Sequence, residues 1–178
     1  VSNREALRDL QSRLAQRLQA ARVQPVAASW LAFECEGQGF VVALEGAGEL
    51  FSYAQPTALA HTQPWFLGVA NLRGSLHGVV DFAAFLGLRA ARVPAEGPQR
   101  DASRVLALSA GGSTHCALLI DRLAGLRSPA QMRALDDVEG AARPAFALGA
   151  WADDAGHRWQ QLDLAALVAD EHFLAAAA

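Results

Sequence analysis

The chain has 178 residues, of which 52% are hydrophobic and 19% charged, and its formal net charge is -3. That length suffices for one domain with a substantial core, and the slightly acidic balance leaves no basic footprint for nucleic acid. Every basic residue is arginine, so no lysine is present to form a Schiff base or to hold a phosphate loop. The apolar content calls either for a large core or for a surface that partners cover.

No run reaches the roughly 18 uncharged apolar residues of a spanning helix, so no membrane insertion is expected. The start, VSNREALRDL, is polar and helical and is not expected to be a secretory signal. The missing Met points to a trimmed start. Cys35 and Cys116 lie far apart without a CxxC. Two buried thiols in a cytosolic protein is the expected state, with a disulfide left open.

In chain order, residues 2 to 22 predict one amphipathic helix. Ser2 and Glu5 form a capping-box pattern. Leu7, Leu10, Leu14, Leu18 and Ala21 recur at steps of three and four and share one face. Such a stripe must dock on something: its own domain, a partner protein or a second copy. Val23 to Pro25 breaks the pattern.

From Ser29 the period changes to two. Trp30 to Cys35 and Phe40 to Leu44 predict a hairpin over Glu36-Gly37-Gln38-Gly39. A short strand is expected from Glu49 to Tyr53, then a loop over 54 to 64. Trp65 to Leu88 supplies two apolar strands around Arg73-Gly74-Ser75, and Arg73 is the only charge between Trp65 and Val80. Such an isolated cation is either solvated at a plain turn or held for docking or pairing, because burying it unpaired would cost several kcal/mol. Asp81 to Leu86 predicts a short helix ended by Gly87.

Residues 89 to 102 are polar and aperiodic and read as a flexible connector. Arg104 to Leu108 and His115 to Ile120 flank a Gly-rich turn, and Asp121 to Leu126 continues onto a further strand. Residues 128 to 144 form a loop. Phe146 to Trp151 and Arg158 to Leu162 make a last hairpin, and Asp163 caps a short helix to Asp170. The tail from Ala175 is expected to fray. About nine or ten short strands in two groups argue for two small barrels sharing a core.

The chemical readings fail one after another. Asp81, Asp121 and Asp163 each end an apolar run, but no G-x-x-x-x-G-K-[ST] accompanies them, so they read as turn formers or caps. No H-x-x-x-H or H-E-x-x-H spacing exists, and His115 and Cys116 point to opposite faces of a strand. No G-x-S-x-G elbow is present. Trp65 is expected in the core. A Cys–His pair from Cys35 or Cys116 stays open with nothing local to support it, and the expected class is a non-enzymatic protein binder without cofactor or metal. Its rival is a small-molecule-binding β-barrel.

The order of features then meets a known pattern. Gly68-Val69-Ala70-Asn71-Leu72-Arg73-Gly74 resembles the G-V-x-N-L-R-G signature of the CheW family, the coupling proteins of bacterial chemosensory arrays. Val79-Val80-Asp81-Phe82 is similar to the V-V-D-L that follows it. Ala117 to Leu123 resembles the block G-L-L-V-D-x-V, and Gln161-Leu162-Asp163-Leu164 the closing L-L-D-L. The likeness covers roughly residues 28 to 170. Gly78 stands where the family usually has Pro, and Cys116-Ala117 near its usual small residue.

The resemblance implies a mainly β fold: two five-stranded SH3-like barrels with a common core at 25 to 174, after a helical extension at 1 to 24. It implies no catalysis and no cofactor. It implies two partners, a methyl-accepting chemoreceptor and the regulatory domain of a CheA-type histidine kinase, at cytoplasmic receptor arrays on the inner membrane. The N-terminal helix is similar to that of PilI-type coupling proteins of type IV pilus systems, which control twitching motility.

Arg73 is the expected key residue, with Glu49 as its ionic partner and Glu45 as second choice. Asn71, Leu72, Gly74 and Ser75 are the expected contact surface. Leu7, Leu10, Leu14 and Leu18 are the expected docking face of the helix, with self-association one of its outcomes. A CheW-like scaffold with other partners stays open.

Overall fold

The computed structural model describes residues 29–90, 103–109, 115–136 and 143–177. The helix expected over 2 to 22, nearly all of the connector and the Gly-rich turn at 110 to 113 lie outside the described residues.

Two-residue turns set the local structure. β1 (Trp30–Cys35) and β2 (Gln38–Ala43) meet at Glu36 and Gly37, with φ of 48° and 73°. Paired positive φ values match the right-handed twist of a hairpin. β3 (Ala47–Ser52) follows, then β4 (Phe66–Leu72) and β5 (Ser75–Asp81), which are joined at Arg73 and Gly74. α1 (Phe82–Phe85) is N-capped by Asp81, whose Oδ1 accepts from Ala84 N at 3.3 Å, and Gly87 beyond it has φ of 70°.

The later strands are β6 (Arg104–Leu108), β7 (Cys116–Ile120), β8 (Arg122–Arg127), β9 (Arg133–Leu135), β10 (Ala147–Ala152) and β11 (Arg158–Leu162). α2 (Leu164–Val168) is capped by Asp163, which accepts from Ala165 N at 2.9 Å and Ala166 N at 3.1 Å. α3 (Glu171–Leu174) closes the described chain.

The strands form a six-stranded sheet, ordered β8-β1-β2-β11-β10-β9, and a five-stranded sheet, ordered β3-β6-β7-β5-β4. The mainly β, two-barrel expectation therefore holds, with β9 as an additional strand inside the expected 128–144 loop. Three residues are too few to show alternation. The barrels are not the two halves of the sequence. The parallel pairs β2–β11 and β5–β7 build each sheet from both sides of the connector.

Alternation then produces three apolar layers. Leu31, Phe33 and Cys35 of β1 and Leu118 and Ile120 of β7 face a shared core between the sheets, with Phe82 fully buried there. Trp30, Ala32, Val41 and Trp159 fill the six-stranded barrel. Leu72, Val79, Val105, Ala117 and Leu119 fill the five-stranded one.

Both cysteines are free and buried. Burial pushes the Cys35 thiol up to about 12 and the Cys116 thiol up to about 11, so both stay protonated and unreactive at neutral pH.

The tail corrects one expectation. Instead of fraying at Ala175, it pairs with the 54–64 loop: Gln63 N donates to Ala176 O at 2.8 Å and Thr62 bridges Ala177. The reason is Phe173, which is buried against Trp65 and Phe85 and fixes the chain on either side of it.

Candidate protein-interaction site

The β4–β5 hairpin carries the residues singled out in the sequence, and each has a separate physical task. Gly68 has φ of 120°, at a slip in the β4–β5 register. A Cβ there would lie 2.0 Å from Thr57 O. Its absence lets the 54–64 loop strap onto β4 through the two Thr57–Val69 backbone hydrogen bonds, at 2.8 and 2.9 Å. Asn71 Oδ1 accepts from Gly74 N at 2.7 Å and braces the turn. Arg73 has φ of 50° and Gly74 of 88°. Glycine takes this conformation freely, whereas for most other residues it costs about 1–2 kcal/mol.

Leu72, expected in the contact surface, points into the barrel. It is buried among Val79, Val105 and Leu119, so it anchors the turn from inside the barrel. Alternation along β4 sends it inward, while Asn71 and the turn stay exposed. Gly74 and Ser75 are exposed, and so is Leu76, at 66%, which the sequence reading did not single out.

Arg73 Nη2 lies 2.7 Å from Glu49 Oε1, and Arg73 Cζ lies 6.0 Å from the centroid of the Phe51 ring. The contact goes to Glu49 rather than Glu45, which sits in the β2–β3 turn. Glu49 and Phe51 belong to β3, and Arg73 follows β4. These are the two edge strands of the five-stranded sheet, so the pair spans the seam where that barrel closes. The side chains are 75% and 42% exposed, so the pair is solvated and contributes less than about 1 kcal/mol.

A second charged group was not legible in the sequence. Arg89, placed in the connector by composition, turns inward after α1 and is only 11% exposed. Its guanidinium meets Asp81 Oδ1 at 2.6 Å, Asp121 at 2.9 Å and Glu36 Oε1 at 2.6 Å. Asp121 Oδ2 also accepts from Glu36 N at 2.8 Å. Burial works against the Arg89 charge. Hydrogen bonds to Glu36, Asp81 and Asp121 outweigh it and hold the group above its ordinary pKa. Asp81 and Asp121, both ends of apolar runs, thus become ligands of one cation that joins the β1–β2 turn to the five-stranded sheet. The signal available in sequence was only a lone Arg 8 residues after Asp81.

Among the described residues no group of three or more His, Cys, Asp or Glu side chains could hold a metal ion. Nor is any described helix long and apolar enough to cross a membrane.

Two β-sheets packed on a shared core, with an exposed, braced arginine turn, define a double β-barrel scaffold. The CheW-like domain family matches residues 29–172, and the chain belongs to that family, one of non-enzymatic scaffolds. It is 38% identical over 61 residues to the chemotaxis protein CheW of Rhizobium meliloti (strain 1021), covering 34% of this chain and 39% of that protein. It is 36% identical over 61 residues to the probable chemotaxis protein CheW of Rhizobium etli, with the same coverage. The matched stretch thus spans about two fifths of these relatives, at 39%. In three dimensions the chain is similar to the scaffolding protein TtCheW from Thermoanaerobacter tengcongensis, with a TM-score of 0.64 and 17% identity, covering 80% of this chain and 88% of that one. That likeness is one of fold.

Proposed function

We propose that this chain is an adaptor that bridges a methyl-accepting chemoreceptor and the regulatory domain of a CheA-type histidine kinase, with the Arg73 turn in one of the two contact faces. The supporting observation is energetic. An arginine in the left-handed region costs about 1–2 kcal/mol, and its exposed ion pair and Phe51 contact together return no more than about that. Stability therefore does not account for the arrangement, whereas presenting a fixed cation and its neighbours Asn71, Gly74, Ser75 and Glu49 to a partner does. The buried side chains packed inside each barrel favour this reading over a small-molecule-binding barrel.

The adaptor holds no covalent state of its own in this reading. It transmits signal only by binding differently to the active and inactive kinase arrangements. The place of action is the cytoplasmic receptor array. The similarity of residues 2 to 22 to PilI-type proteins makes type IV pili, and with them twitching motility, the output to test first. Self-association through that segment is the competing use of its leucine stripe.

Binding of Arg73→Glu to a receptor signalling fragment and, separately, to the kinase regulatory domain tests the site. The expected result is at least a tenfold loss for one partner, about 1.4 kcal/mol, with the other unchanged. Unchanged affinity for both partners would remove Arg73 from either face. Running the assay with receptors from pilus and flagellar systems tests the output.

A further inference from the structure

An open groove with a volume of about 280 Å³ lies where the β2–β3 turn meets α2, lined mainly by Ala43, Gly46, Leu148, Leu162, Leu164 and Ala165. Leu148 in its lining is 41% exposed, and Leu44, next to Ala43 in the chain, is 40% exposed. Among the described residues the one charged residue lining the groove is Asp163, and Glu45 precedes Gly46 in the chain. The groove is therefore largely apolar with one acidic residue in its lining, and it suits an amphipathic, basic occupant.

The sequence supplies one at this spot. The described chain begins at Ser29, whose carbonyl accepts a hydrogen bond from Leu44 N at 3.0 Å. Residues 1–28 thus join the fold at the rim of the groove. They carry five Arg against one Glu and one Asp, a net +3, while residues 29–178 carry a net -6. On a helix turning about 100° per residue, Arg17 flanks the Leu7, Leu10, Leu14 and Leu18 stripe on one side, with Arg4 and Arg22 on the other. A helix over 2 to 22 would be about 31 Å long, and the stretch from Arg22 to Ser29 reaches up to about 24 Å. Such a helix has room to fold back over its point of attachment.

We propose that residues 2 to 22 dock on their own domain, placing the leucine stripe over this groove and covering Leu44 and Leu148. Proximity favours this occupant over a second copy or a partner's helix. A tether this short holds the segment at an effective concentration on the order of mM, above that of a free copy in dilute solution. The inference is independent of the adaptor reading, since it needs neither receptor nor kinase.

Amide hydrogen exchange on the full chain tests it, with light scattering on the same samples. The wild type is expected to be monomeric, with residues 2 to 22 protected about tenfold or more over an unstructured peptide. Leu148→Asp, a substitution at an exposed position, is expected to remove that protection. Leu14→Asp/Leu18→Asp is expected to speed exchange at Leu44 and Gly46. Three results would overturn the proposal. Residues 2 to 22 could exchange as a free peptide in the wild type. Their protection could survive Leu148→Asp, which would place the helix elsewhere. Or protection could vanish on dilution together with a dimer, which would assign the groove to a second copy.

Discussion

Arg73, in the turn after β4, and Glu49, on β3, meet only because the barrel closes, and both side chains face solvent. A solvated pair contributes little to folding, so Arg73→Glu and Glu49→Arg should each shift stability by less than about 1 kcal/mol in urea denaturation. If the pair fixes the shape of a binding face, the double swap should recover partner binding lost by each single variant. No recovery would count against the Glu49 pairing as what shapes that face. Gly68 behaves differently. Alanine there would meet the Thr57 carbonyl and occupy φ of 120°, so Gly68→Ala should cost roughly 2–4 kcal/mol and unstrap the 54–64 loop. A urea midpoint equal to that of the wild type would show that the strap is absent in solution. At this scale the sequence was informative. The isolation of Arg73 and the glycines beside it are visible in the residue string, because the turn that needs them is local. The inward direction of Leu72 was missed because a surface motif and a strand end share the same four letters.

The elements were legible where turn chemistry announces them. Glu36-Gly37, Arg73-Gly74 and the Asp163 cap all act within a few residues. Three features were not. β9 is too short to carry a period, the tail is held by the distant Trp65, and Arg89 gathers carboxylates that lie 8, 32 and 53 residues away. An arginine in a polar stretch reads as solvated until the fold brings those acids together. Arg89→Leu should therefore destabilise the protein by about 3–5 kcal/mol, because it leaves the fully buried Asp81 without its cation. Arg89→Lys should restore only part of this, since an ammonium cannot fork between separate carboxylates. Equal urea midpoints for wild type and Arg89→Leu would contradict the staple.

The β10–β11 turn supplies a pH test. Burial works to raise the pKa of Asp153, but hydrogen bonds from Trp159 Nε1 and His157 N and the nearby His157 outweigh it, so its pKa lies below the ordinary value. A depressed folded pKa stabilises above the unfolded value, near about 4, and that contribution is lost as pH falls through the folded value. Asp153→Asn should flatten the acid limb of the stability curve. An unchanged acid limb would remove Asp153 from that role.

For the whole molecule, composition and the G-V-x-N-L-R-G pattern led to a two-barrel scaffold, and the family match and fold agree. The exchange of strands across the connector was hidden, because parallel pairs such as β2–β11 leave no local mark in a sequence. It has a consequence: neither half of the chain contains a complete sheet, so each barrel needs strands from both sides of the connector. Co-sedimentation of the full chain with a receptor signalling fragment and a CheA-type kinase tests the bridging role most directly. Wild type should bring both partners into one pellet, and Arg73→Glu, with an unchanged urea midpoint, should leave one of them in the supernatant. A wild-type chain that never joins the two partners, or an Arg73→Glu variant that joins them equally well, would contradict the account.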